Sequence, residues 1–331
     1  MHDGLTDIVG LEVGHHTDVV NATGCTVVLC RQGAVGGVDV RGPAPGTRET
    51  DVLRAENTVD RVHGVVLSGG SAYGLSSATG AMRYLEEQGI GHRVGDFTVP
   101  IVPAAILFDL GSVNHRVRPG ETEGYAAAVV ASSGPVDQGS VGAGTGATVG
   151  KALGRSAAMK GGVGTSSLDL GNGIVLGAIV TVNVVGGVMD PGSGLLLAGP
   201  RDDEGRVQDS VALFADPGYA SRRTQSQPEP QPMTNTTIGV VATSAALTKA
   251  QANLLAQVAH DGLALAIRPC HTLHDGDTMF ALATGVVETP DDVPRLLAVA
   301  PSVVARAIVN AIRNADGLGG APACREVQGD G

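Results

Sequence analysis

Apolar positions in this chain fall into short, β-prone runs separated by glycine-rich turns, with helical spacing in only a few places. Between residues 5 and 40 the runs Ile8-Val9, Thr26-Val27-Val28-Leu29 and Gly36-Gly37-Val38 predict two or three strands. Arg41 to Thr50 is rich in Pro and Gly and reads as loop. Val65-Val66-Leu67-Ser68 reads as a buried strand. It ends in the turn Gly69-Gly70-Ser71-Ala72-Tyr73-Gly74-Leu75, and a helix follows to about Glu87 with Met82 and Leu85 on one face. Tyr125 to Val130 reads as helix, and Gly142 to Gly150 as a glycine-rich loop or hairpin. Ile174 to Asp190 is long, apolar and β-branched, which predicts a buried strand pair in a central sheet. Ser221 to Met233, with Pro228, Pro230 and Pro232, predicts a loop that forms neither helix nor central strand. An apolar strand then starts at Ile238. Thr248-x-x-Gln251 is a capping box, and Leu254, Leu255, Val258 and Leu263 give the helix behind it, which stops before Pro269. Met279 to Val287 reads as strand and Val303 to Ile312 as amphipathic helix. The tail segment is thus β-α-β-α and needs the earlier strands to complete its sheet. Layered α/β packing in a single domain, residues 1–331, is the expectation.

Composition narrows the picture. With 43% hydrophobic and 17% charged residues the chain is globular, and with 2% aromatics its core must be built from Val, Ala, Leu and Ile. The net charge of −11 argues against nucleic acid and anionic membranes as partners. Cys25 and Cys30 lie five apart on one strand, so they face opposite ways and should not bridge; with Cys270 and Cys324 they read as free thiols of a reducing, cytoplasmic compartment. The opening residues show no secretory pattern, and the longest apolar run is too short and glycine-broken to span a bilayer.

Several motifs fall short. Gly146-Ala147-Thr148-Val149-Gly150-Lys151-Ala152 has three residues between its glycines, and Ala where a phosphate loop needs Ser or Thr. Gly69-Gly70-Ser71-Ala72-Tyr73 has Tyr where a nucleophile elbow needs glycine. His271-x-x-His274-Asp275-x-Asp277 carries metal-ligand types without helical context, and reads first as a polar loop; no metal or cofactor is expected.

The informative feature is the junction Asn235-Thr236-Thr237-Ile238, where a hydroxyl stands between a loop and a rigid strand. A self-cleaving N-terminal nucleophile requires that placement: Thr236 attacks the carbonyl of Asn235, and its freed α-amine becomes the base for its own hydroxyl. A strand-initiating Thr is the ordinary alternative. Other polar residues stand out from apolar or glycine-rich surroundings. Asn183 interrupts a buried run and offers an amide donor to an oxyanion. Lys151 ends a nearly uncharged stretch. Asp275 and Asp277 share one face of an extended segment and can orient an ammonium. Each has a structural alternative: a hydrogen-bonded core amide, a paired lysine, turn carboxylates.

These residues, with Arg41-Gly42, Gly46-Thr47-Arg48-Glu49-Thr50, Leu67–Leu75, Pro103-Ala104-Ala105-Ile106-Leu107-Phe108-Asp109, Gly142-Ala143-Gly144-Thr145-Gly146, Lys160–Thr165 and Asp275–Ala281, resemble the DmpA-type L-aminopeptidase/D-esterase family, which includes β-peptidyl aminopeptidases and nylon-oligomer hydrolases. The resemblance covers nearly the whole chain. It implies a four-layer αββα sandwich like that of N-terminal nucleophile hydrolases, with different strand connectivity. It implies cutting between Asn235 and Thr236 into chains 1–235 and 236–331 that stay together, in assemblies of several such pairs, tetrameric or larger, without cofactor. By motif, Thr236 is the nucleophile and Asn183 the oxyanion donor, and Lys151, Asp275 and Asp277 surround them. Phe108 stands where several members have Tyr, so a hydroxyl donor is missing there unless the nearby Tyr73 supplies one.

The expected activity is hydrolysis of peptide, amide or ester bonds in small substrates through an acyl-enzyme on Thr236, with backbone N–H groups of Gly69-Gly70 as further candidate oxyanion donors. The rival enzyme class is an N-acyltransferase of the ornithine acetyltransferase type, whose junction typically reads Ala-Thr-Met-Leu. The non-enzymatic alternative is an uncut binding or scaffold protein.

Overall fold

The computed structural model describes residues 1–226, 235–288 and 292–328. Its main sheet is built from β1 (Glu12–Asp18), β2 (Thr23–Val40), β3 (Thr47–Arg48), β4 (Val62–Ser68), β5 (Ala104–Ile106), β6 (Gly162–Asp169), β7 (Val175–Val182), β8 (Ile238–Ala245) and β9 (Thr278–Val287). The order is β6-β7-β8-β9-β2-β4-β5-β3, with β1 also paired to β2. Most neighbours are antiparallel; β8 runs parallel to β9, and β4 to β5.

The 18-residue strand β2 is the hinge of this sheet. Its first half pairs with β1 and β4, from Cys25 opposite Ser68 to Leu29 opposite Gly64. Its second half pairs with β9, from Val35 opposite Ala283 to Val40 opposite Thr278. Between them the register with β4 shifts, and Gly33 takes φ +74°, a backbone state that costs glycine little and other residues more. One sheet thereby folds over into two stacked leaves.

Strand alternation then sorts side chains into three cores. Val28, Leu67, Ile179, Val240, Phe280 and Leu282 lie between the leaves. On β8 and β9 the intervening residues Val241, Ala281 and Ala283 face helices α3 (Lys249–Ala266) and α4 (Val293–Arg313). On β2 and β4, Cys25, Val27, Leu29 and Val66 face α1 (Ser77–Glu87) and α2 (Glu121–Val129). The layers are therefore α-β-β-α. Glycine lets the helices sit close: a Cβ on Gly37 would meet the α3 backbone at Ala252 at 2.4 Å, and one on Gly164 the Ala307 carbonyl oxygen of α4 at 2.2 Å.

Most expected elements are present, and five differ; the segment from Arg41 to Thr50, read as loop, carries β3 at the sheet edge. Ile8-Val9 is not a strand; Leu5–Asp7 forms a 3-10 turn, and Ile8 is buried between the leaves. Ile174 to Asp190 is not a strand pair, because β7 ends at Val182 and Gly187–Met189 joins a separate three-stranded sheet. Helix α4 begins at Val293, well before Val303, and carries Pro301 within it. By length and composition α4 could cross a bilayer, yet its apolar face packs on β6, β7 and α3. Residues Tyr219–Ser226 are helical where loop is expected; the helix-breaking prolines start only at Pro228, and residues 227–234 lie outside the described residues. The capping box forms as expected, with the Gln251 N–H donating to Thr248 Oγ1 at 3.2 Å and the Thr248 N–H to Gln251 Oε1 at 2.9 Å. Cys25 faces the α1–α2 layer and Cys30 the core between the leaves, and the four cysteines are free thiols.

Candidate active site

The junction lies where three strands meet. The chain enters β8 between the end of β7 and the start of β9, held by backbone bonds on both sides. Thr236 N–H donates to the Asn183 carbonyl (2.7 Å), and Thr278 N–H to the Thr237 carbonyl (3.0 Å). Asn235 pairs in parallel with Asp275. Its carbonyl oxygen accepts the Gly276 N–H at 3.0 Å and also the Thr236 hydroxyl. The Thr236 hydroxyl thus lies beside the carbonyl that precedes it, and a backbone donor already polarises that carbonyl. A Cβ on Gly276 would come within 2.8 Å of Thr236 Oγ1, so only glycine allows this approach. Thr236 is 5% exposed. Both polar side-chain atoms of Asn235 are buried and unpaired among the described residues, an arrangement that costs about 1–3 kcal/mol.

Asn183, directly after β7, is the node of the site. Its Oδ1 accepts from Thr148 N–H (3.1 Å) and Lys151 Nζ (2.8 Å), and its Nδ2 donates to the Phe108 carbonyl (3.3 Å). Burial, and then the charge of Arg155, push the Lys151 ammonium well below its usual range, against the pull of Asp275. Lys160, fully buried, donates to the carbonyls of Gly144 (2.7 Å), Ala147 (2.9 Å) and Gly161 (3.1 Å), which pins the glycine-rich loop carrying Thr148. Burial brings its pKa down to about 7. Thr148 also lines a cavity of about 310 Å³ with Gly146, Ser112 and Arg155.

The two carboxylates are buried and serve differently. Asp277 Oδ1 accepts the Thr237 N–H at 2.7 Å, one residue from the hydroxyl. Asp275 Oδ2 accepts the Thr272 N–H at 2.5 Å, whereas its Oδ1 is buried without a partner among the described residues. Burial, reinforced by neighbouring Asp277, raises Asp275 to about 6. A carboxyl raised in the folded state penalises folding progressively as pH climbs from about 4 through 6. In a Thr236→Ala background, Asp275→Asn is therefore expected to stabilise the protein at pH 7.5 by about 1–2 kcal/mol, with the gain gone below pH 4. Thermal unfolding at the two pH values checks this; an equal effect at both would show that charge is not its cause.

Thr236, Asn183, Lys151, Asp275 and Asp277 thus come together. Other candidates do not join them as expected. The Gly69 N–H donates to the Gly24 carbonyl (2.9 Å) and the Gly70 N–H to Asp109 Oδ1 (2.7 Å), so neither is open to an oxyanion. Tyr73 is 60% exposed and lies under the Arg118 guanidinium at 3.9 Å, with no hydrogen bond from its hydroxyl among the described residues. Phe108 contributes its backbone carbonyl, to Asn183. The donor that sequence reasoning missed is the Gly276 N–H. Its only signal is the glycine between the two aspartates. Among the described residues no cluster of three or more His, Cys, Asp or Glu is arranged to hold a metal.

Residues 3–324 match peptidase family S58. An uncharacterized aminopeptidase of Mycobacterium leprae is 42% identical over 349 residues, covering 97% of this chain and 92% of that protein. The 6-aminohexanoate-oligomer endohydrolase of Paenarthrobacter ureafaciens is 30% identical over 284 residues, 86% of this chain and 76% of that one. Among solved structures, a Burkholderia sp. beta-aminopeptidase superposes with a TM-score of 0.65 at 23% identity, over 95% of this chain and 87% of that one. The L-aminopeptidase D-Ala-esterase/amidase of Ochrobactrum anthropi, described as a variant of the Ntn hydrolase fold, gives 0.69 at 20% identity over 95% and 86%. The chain belongs to peptidase family S58 and is a hydrolase of the aminopeptidase and amidase type.

Proposed function

We propose that the protein is a self-cutting N-terminal-threonine hydrolase of small peptide, amide or ester substrates. The observation that carries this reading is the Thr236 hydroxyl lying against the Asn235 carbonyl while the Gly276 N–H donates to the same oxygen. In the first step the hydroxyl adds to that carbonyl, and the Gly276 N–H bonds the oxyanion that forms. No α-amine exists yet, so another base must take the hydroxyl proton. Lys151, whose pKa burial lowers well below its usual range, and Asp275, with an open oxygen, are the groups proposed for it. The C–N bond breaks, an ester forms on Thr236, and water releases the Asn235 carboxylate. The unpaired Asn235 amide favours this step, since cutting lets it leave its buried position.

The freed amine of Thr236 then serves as base, titrating near about 7.7–8.0 before its surroundings act on it. Its nitrogen lies 2.7 Å from the Asn183 carbonyl oxygen. The hydroxyl attacks a substrate carbonyl, the Asn183 amide and the vacated Gly276 N–H hold the oxyanion, and the acyl-enzyme is hydrolysed. The cavity beside Thr148 offers room for one side of the substrate. The relatives' names favour amide substrates with a free amine or an amide oligomer. Assembly of several cut pairs in the cytoplasm, each pair a single folded unit, belongs to the same reading.

Intact mass under denaturing conditions, with N-terminal sequencing, tests it. Two chains, the smaller beginning Thr236-Thr237-Ile238, together with hydrolysis of an aminoacyl amide, are expected. A chain still uncut after prolonged incubation and inert toward amides and esters would overturn it.

A further inference from the structure

His271 is in an unusual state. It is not glycine, yet its φ is +55°, a left-handed conformation uncommon outside glycine, in which His, Asn and Asp are over-represented. Three hydrogen bonds hold the segment. Asp277 Oδ2 accepts both the His271 backbone N–H (3.1 Å) and its ring Nδ1–H (2.8 Å), while Oδ1 accepts the Thr237 N–H. The Asp277 carboxylate is thus a bridge between the nucleophile strand and one imidazole. The Asp277 end of that bridge is buried, at 1% exposed, and the His271 side chain is half-buried, at 21%.

The charges around the ring are few. From α3, His260 meets it edge-on with centroids 5.0 Å apart. Burial pushes His260 down to about 4, so it is neutral, and its Nε2 bonds the Asp39 carbonyl at 3.0 Å. Asp39 on β2 lies 3.8 Å from His260 Nε2, and Arg41, bonded to Asp39 at 2.8 Å and 3.6 Å from Asp261, offsets it. Cys270 is the adjacent residue. Asp275, beyond Asp277, faces Lys151. Burial would lower His271, but Asp277 together with Cys270 overrides it and raises the ring to about 10. The ring Nε2 is buried and unpaired among the described residues in either protonation state, as an orphan donor or an orphan acceptor, so it does not decide the charge.

We propose that His271 is a positioning residue: as an imidazolium locked onto Asp277, it neutralises one of the two carboxylates beside Thr236 and so sets the pH at which the Thr236 amine becomes a free base. The proposal rests on the reading of Thr236 given above. Without the imidazolium, two buried carboxylates would face one amine, favour its ammonium form, and hold the base protonated to higher pH. The sequence HisThrLeuHisAspGlyAsp then needs no metal: its first histidine is the counter-charge of its last aspartate.

His271→Asn tests this, since Asn tolerates the left-handed backbone and keeps a donor toward Asp277 while removing the charge. With one amide substrate throughout, so that its own ionisation cancels, the acid limb of kcat against pH is expected to move up by about 0.5–1 unit. His271→Lys, which restores a cation, should bring the limb most of the way back. A limb unmoved in His271→Asn, with only a lower Tm or a uniformly lower kcat, would overturn the proposal and leave His271 a structural clamp. If His271→Asn does not fold, nitrogen-15 NMR of the ring in Thr236→Ala protein decides: an imidazolium at pH 8 supports the proposal and a neutral ring overturns it. Uncut wild-type protein overturns the reading of Thr236 along with this one, whereas cut wild type with an unmoved limb overturns this one alone.

Discussion

Thr236→Ala is expected to yield one uncut chain of 331 residues with amide hydrolysis lowered at least about 10⁴-fold. The size of the effect follows from one atom serving twice. In the proposed mechanism Oγ1 is the attacking atom in the cut, and it forms the acyl-enzyme in each turnover. Alanine removes it while leaving the backbone bonds of residue 236 to Asn183 and of Asn235 to Gly276 intact, so the variant should fold with the same strands. Thr236→Ser is the control. It retains the hydroxyl and should still cut, more slowly, because the threonine methyl no longer restricts the rotamer. Mass spectrometry and one amidase assay read both variants. Alanine variant protein that is cut at 235/236, or that hydrolyses amides within tenfold of wild type, would remove Thr236 from the mechanism.

The second large effect is expected at Asn183. Asn183→Ala strips the acceptor from the buried Thr148 N–H and removes one acceptor from Lys151 Nζ. Unfolding free energy should fall by about 1–3 kcal/mol, the cost of one buried donor left unpaired. Asn183→Asp separates catalysis from stability. It keeps both acceptors and adds a charge beside Lys151, but it loses the NH₂. The expected outcome is a folded protein whose kcat is lower by about 10²–10³ with KM nearly unchanged. An aspartate variant with near wild-type kcat would mean that the amide does not hold the oxyanion. Its role would then be confined to anchoring Thr148 and Lys151.

Side-chain chemistry was largely legible in the sequence, and backbone chemistry was not. A hydroxyl at a loop–strand junction, an amide inside a β-branched run and two aspartates around a glycine each break a local pattern, and these residues converge in space. The capping box at Thr248 and the odd spacing of Cys25 and Cys30 were equally readable, because both follow from local geometry. The N–H groups gave no such sign. Gly69 and Gly70 had suitable flexibility, but their donors are taken by partners 45 and 39 residues away, at Gly24 and Asp109. Gly276 held the available donor. Tyr73 is held at the surface by a cation–π contact with Arg118. The folding of β2 into two leaves depends on two different partners along one strand, which no local periodicity encodes.

The position of β8 and β9 carries one last consequence. These strands lie in the middle of the sheet, with β7 on one side and β2 on the other, both from the portion before residue 235. A cut ahead of β8 would therefore leave the smaller piece wedged like a plank in the centre of a floor. Two ladders of hydrogen bonds and two apolar layers would have to tear together before it came out. The intact chain brings those strands together with the help of its own tether; the severed pieces have lost it and must find each other by diffusion. Maturation by such a cut would then be hard to reverse. Once denatured, a cut protein would refold only by slow reassembly of two pieces, and its lifetime would be set by how slowly it first comes apart.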